Sequence, residues 1–341
     1  MSAKMKHINI PVFVPHMGCP NKCVFCDQHA ISGVRLFRRD DALRTIEEHL
    51  ATAKSDIPVE IAFFGGSFTG IDRDLMISLL DMAESYVNAG KVSGIRMSTR
   101  PDYIDEEVVS ILEGYTVSAV ELGVQSMNDE VLRISKRGHT AEDSRRAFYL
   151  LGNAGIPSVG QMMIGLPRSS RGDEIYTARE ICSAGASGSR IYPTVVFENT
   201  ELSEMMREGT YSPLTVKEAV ERSADVLSVF VSEGVPCLRI SLYGGEAPGG
   251  GEALSGPLHP ALGELVLGEY YRRVITEKLD GYFSVGKPSS AVVYVPKGDL
   301  SAAIGHRGAN RKFFSSRYDD LKMIFLEKEG IVRYNIILEV N

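Results

Sequence analysis

The stretch Phe13-Val-Pro-His-Met-Gly-Cys19-Pro-Asn-Lys-Cys23-Val-Phe-Cys26 places three cysteines at the spacing C-x3-C-x2-C, directly after a short apolar run. Thiolates are the usual ligands of iron-sulfur clusters, and one short loop can carry three of them to three corners of a 4Fe-4S cube. The next cysteine is Cys182, and the motif has neither a second cysteine pair nor histidines at ligand spacing, as a structural zinc site would require. We therefore predict a 4Fe-4S cluster with one open iron and with Cys19, Cys23 and Cys26 as metal ligands. The alternative is three thiols that are buried or bind stray metal ions.

Outward from this loop, apolar runs and helical patterns alternate along the chain. Predicted strands cover 8–14, 59–64, 94–98, 119–124, 158–164 and 188–196. Predicted helices, with apolar residues at i, i+3 and i+4 spacing, cover 40–53, 73–88, 106–113, 141–154 and 171–184. This alternation indicates a parallel sheet, so the predicted fold class is α/β, a full or partial (βα) barrel. In such barrels the chemistry lies at the carboxyl ends of the strands, and the cysteine loop follows the first strand.

Three regions of different character divide the chain. Residues 1–242 form the predicted barrel, residues 243–285 a glycine-rich loop and a connecting helix, and residues 286–341 a small α+β C-terminal domain. The elements predicted after the glycine-rich loop are helix 262–278, strand 291–296, helices 299–304 and 309–318, and strands 321–326 and 331–340. Because the chain has 341 residues, we expect more than one hydrophobic core.

The composition is that of an ordinary globular protein, with 44% hydrophobic and 24% charged residues. No apolar run reaches transmembrane length, and we find no signal peptide, so we expect a cytoplasmic protein without a membrane partner. The net charge of -7 argues against a protein that coats nucleic acid indiscriminately. Residues 286–341 hold nine Lys or Arg against six Asp or Glu, which makes the tail about +3. Such asymmetry indicates either a module that faces nucleic acid or a mildly basic solvated surface.

The cysteine motif, with the aromatic Phe25 just before its last cysteine, resembles that of the radical S-adenosylmethionine (SAM) enzymes. The resemblance implies a barrel of the radical SAM type, in which the methionine amino and carboxylate groups of SAM chelate the open iron. Gly65-Gly66-Ser67 follows the strand predicted at 59–64, where paired glycines let the backbone approach a ligand. In the family this position holds the methionine amino group. A tight turn would explain the same glycines.

Longer segments resemble the radical SAM part of the Elongator catalytic subunit and its prokaryotic relatives. They are FFGGSFTGI (63–71), STRPDYI (98–104), ELGVQSMNDEVL (121–132), KRGHT (136–140), GLP (165–167) and IYPT (191–194). This resemblance implies modification of the wobble uridine of tRNA. The chain stops at Asn341, without the acetyltransferase domain of full-length Elongator enzymes, so we expect no acetyl-dependent reaction.

Several of these segments also resemble the oxygen-independent coproporphyrinogen oxidases, whose SAM contacts carry over position by position. The cofactor-binding residues that the two resemblances imply are Phe13, Phe25, Gly65, Gly66, Ser67, Ser98, Gln125, Arg137 and Gln161. Ser98 and Gln161 depart from the family pattern, because they replace a glutamate and an aspartate near the ribose. The planar guanidinium of Arg137 suits a carboxylate or a phosphate, and a surface ion pair is the alternative. Arg190 and Tyr192 lie on the last clear strand and either face the substrate or pack in the barrel.

The tail contains Gly305-His306-Arg307-Gly308, followed by Arg311 and Lys312. This segment resembles the G-x-x-G turn between two helices of KH modules, whose loop clamps the nucleic-acid backbone. The histidine and the three cations would supply donors and charge to RNA. A structural cap over the barrel is the alternative.

The sequence therefore predicts a radical SAM enzyme that reductively cleaves SAM at a 4Fe-4S cluster. The product of that cleavage, a 5'-deoxyadenosyl radical, abstracts hydrogen from a substrate, for which the Elongator resemblance implies tRNA or another RNA. A low-potential donor such as flavodoxin or ferredoxin is an expected partner. Two alternatives remain: a coproporphyrinogen-oxidase-like enzyme acting on a small molecule, and a non-catalytic protein that carries the cluster for RNA binding or electron transfer.

Overall fold

A computed structural model describes residues 8–14, 17–19, 23–27, 37–53, 57–241, 253–318 and 321–341. The strands are β1 Ile8–Phe13, β2 Val59–Phe64, β3 Gly94–Thr99, β4 Val117–Gln125, β5 Ser158–Ile164, β6 Gly188–Pro193, β7 Val196–Phe197, β8 Cys237–Ile240, β9 Ala253–Ser255, β10 Ser290–Val295, β11 Lys322–Glu327 and β12 Ile337–Val340. The α-helices are α1 Arg39–Thr52, α2 Arg73–Asn88, α3 Glu106–Leu112, α4 Asp129–Ile134, α5 Ala141–Asn153, α6 Arg171–Ser183, α7 Glu201–Arg207, α8 Val216–Ser232, α9 Leu262–Phe283, α10 Leu300–Ile304 and α11 Ala309–Arg317.

Seven parallel strands form the main sheet, in the order β1-β2-β3-β4-β5-β6-β8. The order follows the chain, as expected when each strand is joined to its neighbour through a helix. β1 and β8 are the two edges, so the sheet is a partial barrel rather than a closed one. Strands such as β4 are buried on both faces, because helices cover one side and interior side chains fill the other. The predicted α/β fold class is confirmed.

Side-chain caps mark where the helices of the barrel begin. The residues whose side chains accept a hydrogen bond from a first-turn backbone N–H are Asp72, Asp105, Asn128, Thr140, Ser170, Thr200 and Thr215. At Thr140, Ser170 and Thr215 an acidic residue three positions later completes a capping box. These caps satisfy backbone donors that the helix itself leaves without partners, and so they fix where each strand-to-helix turn ends.

The last residues form a separate three-stranded sheet of order β11-β10-β12, with β11 parallel and β12 antiparallel to β10. The helices α10 and α11 lie between β10 and β11 in the chain. We expected more than one hydrophobic core, and the buried side chains form two clusters of very different size. Buried side chains of the barrel, of α9 and of the small sheet belong to one continuous cluster, which reaches from Ile10 through Tyr271 to Phe314. A small second cluster surrounds Val24 and Tyr211 beside the cysteine loop.

Several predicted boundaries differ from the structure. The strand predicted at 188–196 ends at Pro193, and Val196 pairs instead with Ser255 in a two-stranded sheet of β7 and β9. The strand predicted at 331–340 begins at Ile337, because Tyr334 adopts a positive φ of 72° and turns the chain. The sequence analysis did not identify α7, α8 or β8. Residues 242–252, which include the predicted boundary at 242 and most of the glycine-rich loop, lie outside the described residues.

No helix among the residues described above combines the length and apolar character needed to cross a membrane.

Candidate active site

One cavity of about 580 Å³ lies at the carboxyl ends of the barrel strands. Its walls are formed by Cys19, Cys23, Cys26, Asp27, Gly65, Gly66, Ser98, Thr99, Arg100, Gly123, Gln125, Arg137, Gln161, Asn199, Thr200 and Glu201. The three cysteines and six of the nine residues predicted to bind SAM are in this set. The position agrees with the rule that ligands of parallel α/β folds bind beyond the carboxyl ends of the strands.

Backbone hydrogen bonds hold the cysteine loop from two sides. The Val24 N–H donates to the Ser135 carbonyl at the end of α4 at 3.2 Å, and the Leu202 N–H of α7 donates to the Val24 carbonyl at 2.8 Å. Cys26 N–H closes a turn onto the Cys23 carbonyl at 3.0 Å. The side chain of Val24 is buried in the small apolar cluster, so the segment between the last two cysteines is anchored through both backbone and side chain.

The start of the same loop packs backbone to backbone on the turn after β2. A Cβ on Gly18 would lie 2.3 Å from the Ser67 carbonyl oxygen, and one on Gly66 would lie 2.5 Å from the Met17 carbonyl oxygen. No side chain fits at either position. Gly66 is thus required for the close approach of this turn to the cysteine loop, and any larger residue there would displace the loop itself. Gly65 adopts φ of 101°, which is typical of glycine.

Arg137 is buried rather than paired at the surface. Its Nη1 donates to the Cys23 Sγ at 3.3 Å, its Nη2 donates to the Gly123 carbonyl at 2.6 Å, and its Nε is buried with no hydrogen-bond partner among the residues that the structure describes. The structure therefore excludes the surface ion pair that was the alternative for this residue. A guanidinium with a contact to one cysteine and an unsatisfied N–H suits an anion bound in the cavity.

Gln125 ends β4 in a left-handed conformation, with φ of 64°, next to a register shift against β5. Its Oε1 is buried and has no hydrogen-bond partner within the described ranges. Gly123 makes room for both neighbouring side chains, because a Cβ there would lie 3.1 Å from the Arg137 Nη2 and 3.1 Å from the Gln125 Nε2. The sequence analysis quoted Gly123 within a motif but did not select it as a site residue.

Three predicted residues do not line the cavity. Ser67 is fully buried, and its Oγ accepts the Arg100 N–H at 2.9 Å and lies 3.3 Å from the Thr99 Oγ1, so it ties the ends of β2 and β3 together. Phe25 packs beside the small apolar cluster around Val24. Phe13 is the last residue of β1, half-buried and in register with Phe64. Their assignment to SAM stays a prediction.

A buried polar network crosses the interior face of the sheet below the cavity. Glu121 of β4 accepts hydrogen bonds from Arg190 at 2.5 Å, from Gln161 at 2.6 Å and from Arg96 at 3.3 Å. Arg96 also donates to Glu60 at 2.7 Å. Gln161, which replaces an acidic residue of the related family, is therefore oriented by a carboxylate one strand away. Sequence reasoning missed Glu121, although a charged residue inside the apolar run of β4 was the signal.

Burial and the neighbouring positive charges act on the pKa of the Cys19 thiol in opposite directions. Burial raises the pKa of the Cys19 thiol, the nearby Cys23 raises it further, and the positive charges of Arg137 and Arg100 act in the opposite direction. No disulfide joins any of the five cysteines. Thiolate ligands are needed for iron, and two buried guanidinium groups favour the thiolate over the thiol.

The cavity fits a cluster and SAM on three observations. Three cysteines share one wall, the glycine turn at Gly65 and Gly66 supplies backbone at close range, and buried polar atoms of Arg100, Gln125 and Arg137 have no hydrogen-bond partner among the described residues. No three His, Cys, Asp or Glu side chains within the described ranges converge as ligands of one metal ion would. A cubane cluster differs in this respect, since each cysteine binds a different iron.

Sequence models of two families match the chain over most of the barrel. The Radical SAM superfamily matches residues 13–181, and the radical SAM C-terminal domain matches residues 186–272. The chain belongs to the radical SAM superfamily. It is therefore an enzyme of the class that uses a 4Fe-4S cluster and SAM, as the sequence analysis predicted.

Individual relatives of this radical SAM protein carry different names. The tRNA uridine(34) acetyltransferase of Methanocaldococcus jannaschii is 30% identical over 244 residues, which cover 60% of this chain and 45% of the relative. An uncharacterized protein of the same organism is 29% identical over 236 residues, 66% of this chain and 72% of the relative. Elongator complex protein 3 of Mus musculus is 29% identical over 215 residues, which cover 56% of this chain and 39% of the relative. The chain thus spans less than half of two of these relatives.

The archaeal Methanocaldococcus infernus Elp3 with an N-terminal deletion superimposes with a TM-score of 0.60 at 22% identity, covering 80% of this chain and 63% of that chain. This likeness shows that the two proteins share a fold. The resemblance to the Elongator catalytic subunit is confirmed.

The G-x-x-G turn of the tail lies between α10 and α11. Arg307 and Gly308 have positive φ of 52° and 72°. Arg307, Arg311 and Lys312 are exposed, and none of them forms an ion pair with an acid in the described part of the chain. His306 is half-buried and packs edge-on against His259, with 5.5 Å between the ring centroids.

Proposed function

We propose that this enzyme reductively cleaves SAM and uses the resulting radical to modify an RNA, with tRNA as the first candidate. The observation that carries the proposal is the single cavity that collects the three cysteines, the glycine turn and the partnerless groups of Gln125 and Arg137. When bound, the cluster and SAM supply one-electron reduction and a 5'-deoxyadenosyl radical that abstracts hydrogen.

The protein's own residues would bind and orient these groups. Cys19, Cys23 and Cys26 would hold three irons as thiolates. The backbone at Gly65 and Gly66 would meet the amino group of SAM, and the partnerless Arg137 N–H would meet its carboxylate. Ser98 and Gln161 lie in the same cavity and would contact the ribose. A low-potential donor of the flavodoxin or ferredoxin type would supply the electron.

RNA as substrate is supported by the names of two relatives and by the charge of the tail. The tRNA uridine(34) acetyltransferase and Elongator complex protein 3 match 60% and 56% of this chain. Arg307, Arg311 and Lys312 present three exposed cations without acidic partners among the described residues, on a protein whose net charge is -7. Unpaired cations on one turn are suited to phosphate oxygens. We propose residues 1–242 as the catalytic barrel and residues 286–341 as the RNA-binding domain.

The RNA assignment is tested by replacing Arg307, Arg311 and Lys312 with alanine together. We expect tRNA affinity to fall and the slope of log K against log salt concentration to decrease by about two to three, since each lost phosphate contact removes about 0.9. The matched control removes three exposed cations of the barrel, Arg44, Arg133 and Lys217, whose side chains are 67%, 70% and 85% exposed. An equal effect of both triple variants, or no effect of the tail variant, would refute the RNA role of the tail.

A further inference from the structure

Arg100 is a buried cation in the wall of the candidate active site that neither the cysteine motif nor the SAM-binding positions include. It directly follows β3, is 3% exposed, and lines the same cavity as Cys19, Cys23 and Cys26. Its Nε and Nη2 donate to the two carboxylate oxygens of Asp102 at 2.9 and 2.7 Å, and its Nη1 is buried with no hydrogen-bond partner in the described part of the chain. The two-pronged pair fixes the plane of the guanidinium beside the cysteine loop.

The two charges of the Arg100–Asp102 ion pair differ in their exposure to solvent. The Arg100 side chain is 4% exposed and the Asp102 side chain 25%, so solvent screens the carboxylate better than the guanidinium. The Arg100 charge acts on the thiols of both Cys19 and Cys23. Because its backbone N–H, and not its side chain, bonds to Ser67, the side chain is not needed for the contact between the ends of β2 and β3. The side chain packs within its own turn, against Asp102 and over the Tyr103 ring at 5.9 Å, and its charge lies in the cavity wall.

We infer that Arg100 places a fixed positive charge beside the cluster held by Cys19, Cys23 and Cys26, and that this charge raises the reduction potential of the cluster. Reduction adds one electron from the external donor and leaves every bond intact, so the cluster with its three thiolates becomes more negative by one charge. A fixed, poorly solvated cation beside the ligands stabilises that added charge. Asp102 limits the effect by partly neutralising the guanidinium. This inference rests on the proposed cluster site.

Four variants of the full-length protein, reconstituted with iron and sulfide and free of SAM, test the inference. Their potentials are measured by a dithionite titration followed by electron paramagnetic resonance. We expect Arg100→Gln to shift the equilibrium for reduction at least tenfold towards the oxidised cluster, which is about 59 mV for one electron. Arg100→Lys should keep most of the wild-type potential. Asp102→Asn should shift the potential in the opposite direction, and Arg146→Gln, on an exposed arginine, should leave it unchanged.

Opposite shifts in the Arg100→Gln and Asp102→Asn variants cannot arise from a merely structural role, because loosening the site would act in the same direction in both. If Arg100→Gln does not assemble a cluster, the Asp102→Asn variant alone tests the inference. A potential above that of wild type supports the inference, and a potential below it contradicts the inference. Unchanged potentials, or shifts of the same sign, would overturn the inference. A lower affinity for SAM with an unchanged SAM-free potential would also overturn it, since the role of Arg100 would then be to bind SAM. A wild-type protein that binds no cluster would instead refute the proposed function.

Discussion

Single buried side chains determine the chemistry of the cavity. The cysteines and the paired glycines could be selected from the sequence by residue type and by their position after an apolar run. Gln125 and Arg137 were implied only by the resemblance to a known family. Arg100 and Glu121 could not be selected in this way. Each was inside a recognised segment, but only the folded chain shows that Arg100 has a buried, partnerless N–H and that Glu121 accepts from three side chains.

His139 is another residue whose character depends on burial. The sequence shows a histidine without metal-ligand spacing, and the structure buries it, 4% exposed, with its Nε2 3.2 Å from the Val124 carbonyl. Burial, reinforced by the charges of Arg137 and Arg100, lowers its pKa to about 3. The imidazole is therefore neutral in the folded protein at any pH above that value.

This depressed pKa predicts a specific loss of stability in acid. An unfolded histidine binds a proton below about pH 6.5, whereas the folded one does so only below about 3. Stability is therefore unaffected above pH 6.5 and falls between the two values by up to about 1.4 kcal/mol per pH unit. Urea unfolding of the apoprotein at pH 7.0, 6.0 and 5.5 gives the free energy of unfolding at each pH. The slope of this free energy against pH should be smaller for His139→Gln than for wild type.

The control is His49→Gln, on an exposed helical histidine, which should keep the wild-type slope. A slope that His139→Gln leaves unchanged would show that His139 is not the titrating group.

At the scale of elements, most of the barrel follows from local pattern. Strands with several apolar residues and helices with a cap were predicted within one or two residues, as for Val59–Phe64 and Arg73–Asn88. The failures have physical causes. Pro193 lacks an N–H and ends β6 before the end of its apolar run. β8 has only four residues and is recognisable chiefly through its pairing with β6.

The limited space around Gly123 in β4 gives a prediction about this strand. Gly123→Ala places a methyl group 3.1 Å from both the Arg137 Nη2 and the Gln125 Nε2, so we expect SAM to bind at least about tenfold more weakly, the cost of one lost charge-assisted hydrogen bond. Iron content should be unchanged, because the cysteine loop is held elsewhere. Calorimetric titration with SAM and iron analysis measure the two quantities.

Gly152→Ala is the matched control, since a Cβ at this position in α5 meets nothing within 4 Å. It should leave SAM affinity unchanged and stabilise the fold by about 0.5–1 kcal/mol. Wild-type affinity in Gly123→Ala would show that this part of β4 does not position groups that bind SAM.

At the scale of the whole molecule, the tail is joined to the barrel through α9. The Asn310 Nδ2 donates to the Gly268 carbonyl of α9 at 2.8 Å, and the Tyr334 hydroxyl donates to the Cys237 carbonyl of β8 at 3.2 Å. Composition and charge distinguished the tail correctly as a different kind of unit. They could not show that its core continues into the barrel, because that depends on which faces of α9 are covered.

The continuous core predicts one cooperative unfolding transition for the full chain. Circular dichroism in the far and near ultraviolet should give the same urea midpoint. Asn310→Ala should lower the free energy of unfolding by about 1–3 kcal/mol, since it removes the two buried hydrogen bonds of the Asn310 amide to the Gly268 and Ala303 carbonyls, and should not split the transition. Two separated transitions would show that the tail and the barrel fold independently.

The central claim is that this chain cleaves SAM at a cluster held by Cys19, Cys23 and Cys26 and that RNA is its substrate. The most direct measurement is anaerobic: iron and sulfide are reconstituted, the cluster is reduced, SAM is added, and 5'-deoxyadenosine is quantified with and without bulk tRNA. We predict production by the wild-type protein that tRNA stimulates and that Cys23→Ala abolishes. No 5'-deoxyadenosine from a fully loaded cluster under either condition would contradict the claim.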